Sequence, residues 1–191
     1  DVVVLEPDMR PNISLLLEQG KTVLGYISLG EVSKDRSYFK EVQEAGLLFE
    51  KNPIWRDSFY IDMRRKEWTS MVIEELIPSI LFQRFSGIFI DTIDNAETLE
   101  SQDPQKYKGM KDAAIRLIKT IRLHFPEIKI MLNRGFPLLP ELNQEIDMFL
   151  AEEIFAVHNF KTGEDKLGSQ TVYQELAGEL KEAKKANPKL E

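Results

Sequence analysis

Six short apolar runs in this 191-residue chain end on the same kind of residue. Leu5 is followed by Glu6, Leu29-Gly30 by Glu31, Ile61 by Asp62, Ile90 by Asp91, Leu132 by Asn133 and Ala151 by Glu152. Acidic residues make up about one in six of the chain (32 of 191), so five carboxylates and an amide at equivalent places stand out from the background. Carboxyl groups brought together from different elements can divide acid, base and nucleophile work between them. Clustered acids can also hold Mg²⁺ or Ca²⁺ through oxygen ligands. Taken singly, each has a plainer reading as a helix cap or loop residue.

The elements that must position these residues are strands and helices in strict rotation. Strand-like runs are Val2–Leu5, Thr22–Leu29, Ser58–Met63, Gly87–Ile93, Ile128–Leu132 and Met148–Ala151. Helical stretches fall between them, near Ile13–Gln19, Asp35–Ala45, Glu67–Phe82, Lys111–Phe125 and Glu141–Ile146. In the fourth of these, Ala114, Leu117, Ile118, Ile121 and Phe125 recur at the spacing of a helix packed on a sheet. The strand runs are apolar on both faces, as in a parallel sheet covered by helices, so the class is α/β. The only Gly turn after an early strand, Ser28-Leu29-Gly30, lacks the G-x-G-x-x-G spacing of a dinucleotide site. Acids at the carboxyl ends of successive strands point instead to a (β/α)₈ TIM barrel, whose active-site face takes contributions from many strands. The chain opens inside a strand, and Asn187-Pro188-Lys189-Leu190 repeats the helix-to-strand exit at Phe125-Pro126-Glu127-Ile128. One further strand is therefore expected beyond each end, around the six visible here. The expectation is a single barrel domain over residues 1–191, truncated at both ends.

Composition narrows the function classes. With 25 Lys plus Arg against 32 Asp plus Glu, the formal charge is −7, which argues against a nucleic-acid binder. The absence of Cys excludes disulfides, thiolate metal sites and thiol catalysis. No apolar run approaches a membrane span, and no signal peptide opens the sequence. The two histidines, His124 and His158, are far apart in the sequence, which makes a zinc site improbable. His124 reads as completing a helix end and His158 as a residue that can line a cleft.

Several segments together carry a family resemblance. Tyr26-Ile27-Ser28-Leu29-Gly30-Glu31 with Arg36, Tyr60-Ile61-Asp62-Met63-Arg64, and Gly87-Ile88-Phe89-Ile90-Asp91-Thr92-Ile93-Asp94 resemble the motifs of glycoside hydrolase family 114. That family contains endo-α-1,4-polygalactosaminidases on a (β/α)₈ barrel. Asp103-Pro104-Gln105-Lys106-Tyr107-Lys108-Gly109-Met110, Met131-Leu132-Asn133-Arg134-Gly135-Phe136 and Ala151-Glu152-Glu153-Ile154-Phe155 are similar to the hydrolase domain of the Pel exopolysaccharide enzymes, family 166. The resemblance runs from Asp1 to about Gly163, and Lys166–Lys185 carries no motif. It implies endo-cleavage of a partly de-N-acetylated, cationic α-1,4-galactosamine polymer of biofilms, with no cofactor. It also implies action outside the cytoplasm, in an extracellular or periplasmic setting. The catalytic pair carried over is Asp91 and Glu152. Glu153 adjoins the second acid, and since successive strand residues face opposite ways, only one of the two can point into the barrel mouth.

Roles for the pair follow from their surroundings. Asp94 and Arg64 would keep Asp91 in a polar setting suited to a nucleophile or charge stabiliser. Glu152, between Met148-Phe149-Leu150-Ala151 and Ile154-Phe155, is expected in apolar surroundings that raise a carboxyl pKa and suit a proton donor. Glu31, Asp62 and Asp94 can pair with a sugar ammonium or hold Arg64, Asn133 can bond a sugar hydroxyl, and Tyr26 can orient Asp91. Glu6 and Asp8 stand at the margin of the set. For all of these a structural network inside the barrel mouth is the plainer reading. Phe136, Phe155, Phe160 and Trp55 are candidates for stacking on sugar rings, against an ordinary core role, while Trp68 reads as core. Two other readings remain open: a non-catalytic polysaccharide-binding barrel in polymer secretion, and a Mg²⁺-dependent barrel enzyme using Arg64 or Arg134 on a small anion.

Overall fold

Runs that are apolar on both faces become the strands of one parallel sheet. The structure, a computed structural model, describes residues 1–159 and 162–191. Ten strands occur among them, in chain order β1 (Val2–Leu5), β2 (Thr22–Ser28), β3 (Glu31–Ser33), β4 (Leu48–Lys51), β5 (Ser58–Ile61), β6 (Gly87–Asp91), β7 (Lys129–Asn133), β8 (Met148–Leu150), β9 (Ala156–Asn159) and β10 (Glu164–Leu167). Five pair in the order β1-β2-β6-β7-β8, every neighbour parallel, and curl into part of a (β/α) barrel. The outward side chains Val23, Ile27, Ile88, Ile90, Ile130 and Leu132 are buried against helices in the main core. The inward ones form a smaller cluster of Leu24, Phe89 and Met148, with Tyr26 and Met131 against it.

The helices cover the outer face as the apolar periodicity requires. They are α1 (Ser14–Glu18), α2 (Phe39–Glu44), α3 (Lys66–Met71), α4 (Ile77–Phe82), α5 (Asn95–Gln102), α6 (Met110–His124), α7 (Leu139–Leu142) and α8 (Gln170–Ala186). In α6 the predicted residues Ala114, Leu117, Ile118 and Ile121 are all buried. The stretch expected as one helix over 67–82 is α3 and α4 joined by a π-helical turn, Val72–Leu76. Pro78 has no N–H for the Glu74 carbonyl four residues back, and a wider turn accommodates the missing donor. Trp68 is fully buried and donates from Nε1 to the Leu29 carbonyl at 3.2 Å, which makes it core.

One expected barrel strand is not in the barrel sheet. Ser58–Ile61 is the centre of a separate antiparallel sheet, β3-β5-β4, so Asp62 does not end a barrel strand. Its composition matches the others, but short neighbours on both sides, β3 and β4, capture its backbone hydrogen bonds. At the far end Glu191 donates to the Asp147 carbonyl and accepts from the Phe149 amide, 2.9 Å each, which is the bonding of a parallel neighbour of β8. This pairing is confined to Glu191.

Candidate active site

Strand parity places the site residues before any side chain is considered. Tyr26, Asp91 and Asn133 all fall on the inward face, with Tyr26 opposite Phe89, Ser28 opposite Asp91 and Asn133 opposite Leu150. After each of three strand ends the chain turns through a non-glycine residue in the left-handed region: Thr92 (φ 61°) after Asp91, Arg134 (φ 58°) after Asn133, and Glu153 (φ 56°) after Glu152. This conformation is uncommon outside glycine and an outlier for a β-branched residue such as Thr92. The surroundings hold each of them. Thr92 Oγ1 accepts from the Gly30 amide (2.9 Å) and bonds Ser28 Oγ (2.7 Å). Arg134 pairs with Glu153 and reaches Asp94 Oδ2 at 3.4 Å.

The side chains so placed converge. Tyr26 Oη donates to Asp91 Oδ2 at 2.6 Å. Asn133 Nδ2 donates to Asp91 Oδ1 at 2.9 Å and to Glu152 Oε2 at 3.2 Å. Because one nitrogen touches both acids, those two oxygens are at most 2.9 plus 3.2 Å, or 6.1 Å, apart. Glu153 turns instead to Arg134, so Glu152 is the acid that shares the site with Asp91.

The electrostatics are acidic. Burial, and then the neighbouring charges of Asp91 and Glu152, push the Asp94 carboxyl up against the opposing pull of Arg134. Burial likewise raises Glu31, while Asn52, Asn95 and Ser58 hydrogen bonds favour its charged form. Burial and the Asp91 charge raise the Tyr26 phenol, which keeps it a hydrogen-bond donor. Arg36 lies over the Tyr26 ring with its cation 5.6 Å from the centroid, held by Glu6 at 2.7 and 2.8 Å and by Asp8 at 2.8 Å.

Several expected roles are relocated. Glu152 is exposed rather than embedded, because the left-handed turn at Glu153 carries the apolar flank away, and Phe155 is 69% exposed beside Tyr173. Arg64 does not neighbour Asp91: it clasps Asp62 at 2.7 and 2.8 Å and donates to the Lys106 and Lys108 carbonyls, which fixes that loop. The arginine beside the acids is Arg134. Glu31 is buried, and its Oε2 takes amide hydrogens from Asn52 (2.7 Å) and Asn95 (3.3 Å). Phe136 is buried edge-on against Phe149, a core role, and Phe160 lies outside the described residues. His124 bonds the Thr120 carbonyl at the end of α6, and His158 pairs with Asp165 across the β9–β10 hairpin. Among the described residues no group of three or more His, Asp or Glu side chains is arranged to hold a metal ion. None of the described helices is long and apolar enough to cross a membrane. A cavity of about 560 Å³ opens at the opposite, amino-terminal end of the strands, lined by Arg122, Lys129, Asp147 and Glu191 among others.

Comparison with known proteins agrees with this fold. The glycoside hydrolase domain of PelA from Pseudomonas aeruginosa is 26% identical, with a TM-score of 0.83 over 98% of this chain and 73% of that one. Aspergillus fumigatus Ega3, solved in complex with galactosamine, shares the fold at a TM-score of 0.67 and 12% identity, over 78% of this chain and 58% of its own. An uncharacterized protein of Thermotoga maritima is 21% identical over 172 residues, 84% of this chain. The chain spans about half the length of that relative, 53%. The model of glycoside-hydrolase family GH114 matches residues 1–180, and the chain belongs to that family.

Proposed function

We propose that the chain is an endo-acting glycoside hydrolase that cleaves α-1,4-linked galactosamine and N-acetylgalactosamine polysaccharide, with Asp91 and Glu152 as its two carboxyl catalysts. The observation that carries this reading is the separation of at most 6.1 Å between their facing oxygens, from two different strand ends. Inverting enzymes need about 6.5–9.5 Å between the carboxyls to admit a water, whereas retaining ones use about 5–5.5 Å. The shared amide donor holds the two carboxyls close enough for double displacement. Asp91, each of its oxygens held by one donor, attacks the anomeric carbon as Glu152 protonates the departing glycosidic oxygen. Glu152 then takes a proton from the water that releases the sugar from the Asp91 ester.

The acidic mouth, where the charges of Asp91 and Glu152 both act on Asp94, supports a cationic amino-sugar substrate. Ega3, with its galactosamine complex, points the same way. The two arginines named for the small-anion alternative, Arg64 and Arg134, are both taken by carboxylates. The family resemblance extends the proposal to action on extracellular or periplasmic polymer. The test is incubation with de-N-acetylated α-1,4-galactosamine polymer. Oligomers are expected from the unaltered protein and not from Asp91→Asn; oligomers from both, or from neither, overturn the assignment.

A further inference from the structure

Asn133 occupies the middle of three adjacent strands, between the acid of β6 and the acid beyond β8, and is 6% exposed. Its amide carries two N–H groups, and one hydrogen is available for each acid: Asp91 at 2.9 Å, Glu152 at 3.2 Å. The opposite orientation of the amide would set its carbonyl oxygen against two carboxylates, so chemistry fixes which end faces them. Its Oδ1 is buried with no hydrogen-bond partner among the described residues, so all the bonding of this side chain is directed at the two acids. A sugar hydroxyl finds neither end of the amide available.

From this we infer that Asn133 is a positioning residue, not a substrate contact: a two-pronged donor that sets the spacing and orientation of Asp91 and Glu152. The inference rests on the proposed function for its kinetic meaning. Tyr26 fixes the second oxygen of Asp91, so the two donors together define that carboxylate's plane. Among the described residues Glu152 makes one side-chain hydrogen bond, through Oε2, which leaves Oε1 to carry the proton toward the leaving oxygen.

Two measurements on the 191-residue chain test it. In the ¹⁵N side-chain amide spectrum, Asp91→Asn is expected to move one Asn133 proton resonance and Glu152→Gln the other. No response of either resonance overturns the clamp, and this readout needs neither substrate nor a folded Asn133 variant. In kinetics on the galactosamine polymer, the isosteric Asn133→Asp is expected to lower kcat about 100-fold, the scale of a small misplacement of reacting groups. KM is expected to stay within about threefold, because substrate binding does not use the amide. A raised KM with unchanged kcat would make Asn133 a substrate contact and overturn the inference. If the unaltered protein cleaves no polymer, the functional reading falls while the amide spectrum still decides the clamp.

Discussion

Arg134 and Glu153 form an ion pair from two left-handed backbone positions, each one residue beyond a site residue. A side chain that would otherwise compete with Glu152 for the cleft is drawn sideways, and the same guanidinium holds Asp94. The two neighbouring glutamates should therefore behave oppositely. Glu152→Gln is expected to lower kcat on polymer by about 10³-fold, within the span of general acid catalysis. Glu153→Gln is expected to stay within about tenfold of the unaltered protein, the partial loss coming from a loosened Arg134. Side-by-side kinetics decide it, and equal losses in the two variants would mean that the acid has been misassigned.

Tyr26 reports on Asp91 in a different way. Its 2.6 Å bond is the shortest contact to the proposed nucleophile, and burial together with the Asp91 charge keeps the phenol protonated. A hydrogen bond to a charged group contributes about 1.5–3 kcal/mol. Tyr26→Phe is accordingly expected to lose roughly 10- to 100-fold in kcat/KM. The loss should be the same at pH 6 and pH 9, because the donor does not titrate between them. A loss that disappears at alkaline pH would show instead that the phenol ionises there.

What was legible in the sequence was the set of inward strand ends. Asp91, Asn133 and Glu152 follow apolar runs whose period assigns them a face, and parity alone brings the first two together. Asp62 follows a run of the same character, yet β5 pairs antiparallel with β3 and β4, and composition does not encode which partner captures a strand. The left-handed turns at Thr92, Arg134 and Glu153 have no glycine to announce them. Missing those turns is why Glu152 reads as embedded and why Arg64 rather than Arg134 reads as the neighbouring cation. The shared amide at Asn133 depends on side-chain direction and sheet curl, which no spacing along the chain expresses.

Gly30 shows how tightly the turn after Asp91 is packed. A Cβ at this position would sit 1.9 Å from the Thr92 carbonyl oxygen, a backbone atom that cannot swing aside. Gly30→Ala must push apart the β2–β3 junction and the left-handed turn, at a cost of about 2 kcal/mol or more by the scale of overpacking. Urea unfolding should show a lower midpoint, and polymer cleavage should fall further than stability explains, because Asp91 precedes the displaced residue. Unchanged stability would mean that the two segments can separate freely.

Glu31 carries a stability cost with a defined pH signature. It is buried, and burial is the largest influence raising its carboxyl above the usual range, outweighing the Asn52, Asn95 and Ser58 hydrogen bonds. A carboxyl with a raised pKa in the folded state holds its proton more tightly there than in the unfolded chain. Its contribution to stability is therefore complete below the ordinary glutamate pKa of about 4.3 and is lost as pH rises through the folded value. Glu31→Gln removes the titration, and its side-chain carbonyl can still accept the Asn52 amide. The variant is expected to unfold at a higher temperature than the unaltered protein at pH 7, with the gain shrinking toward pH 4. Thermal unfolding across that range checks the sign. A gain that grows on acidification would mean that the carboxylate is better stabilised in the fold than in water, through its amide bonds and despite its burial.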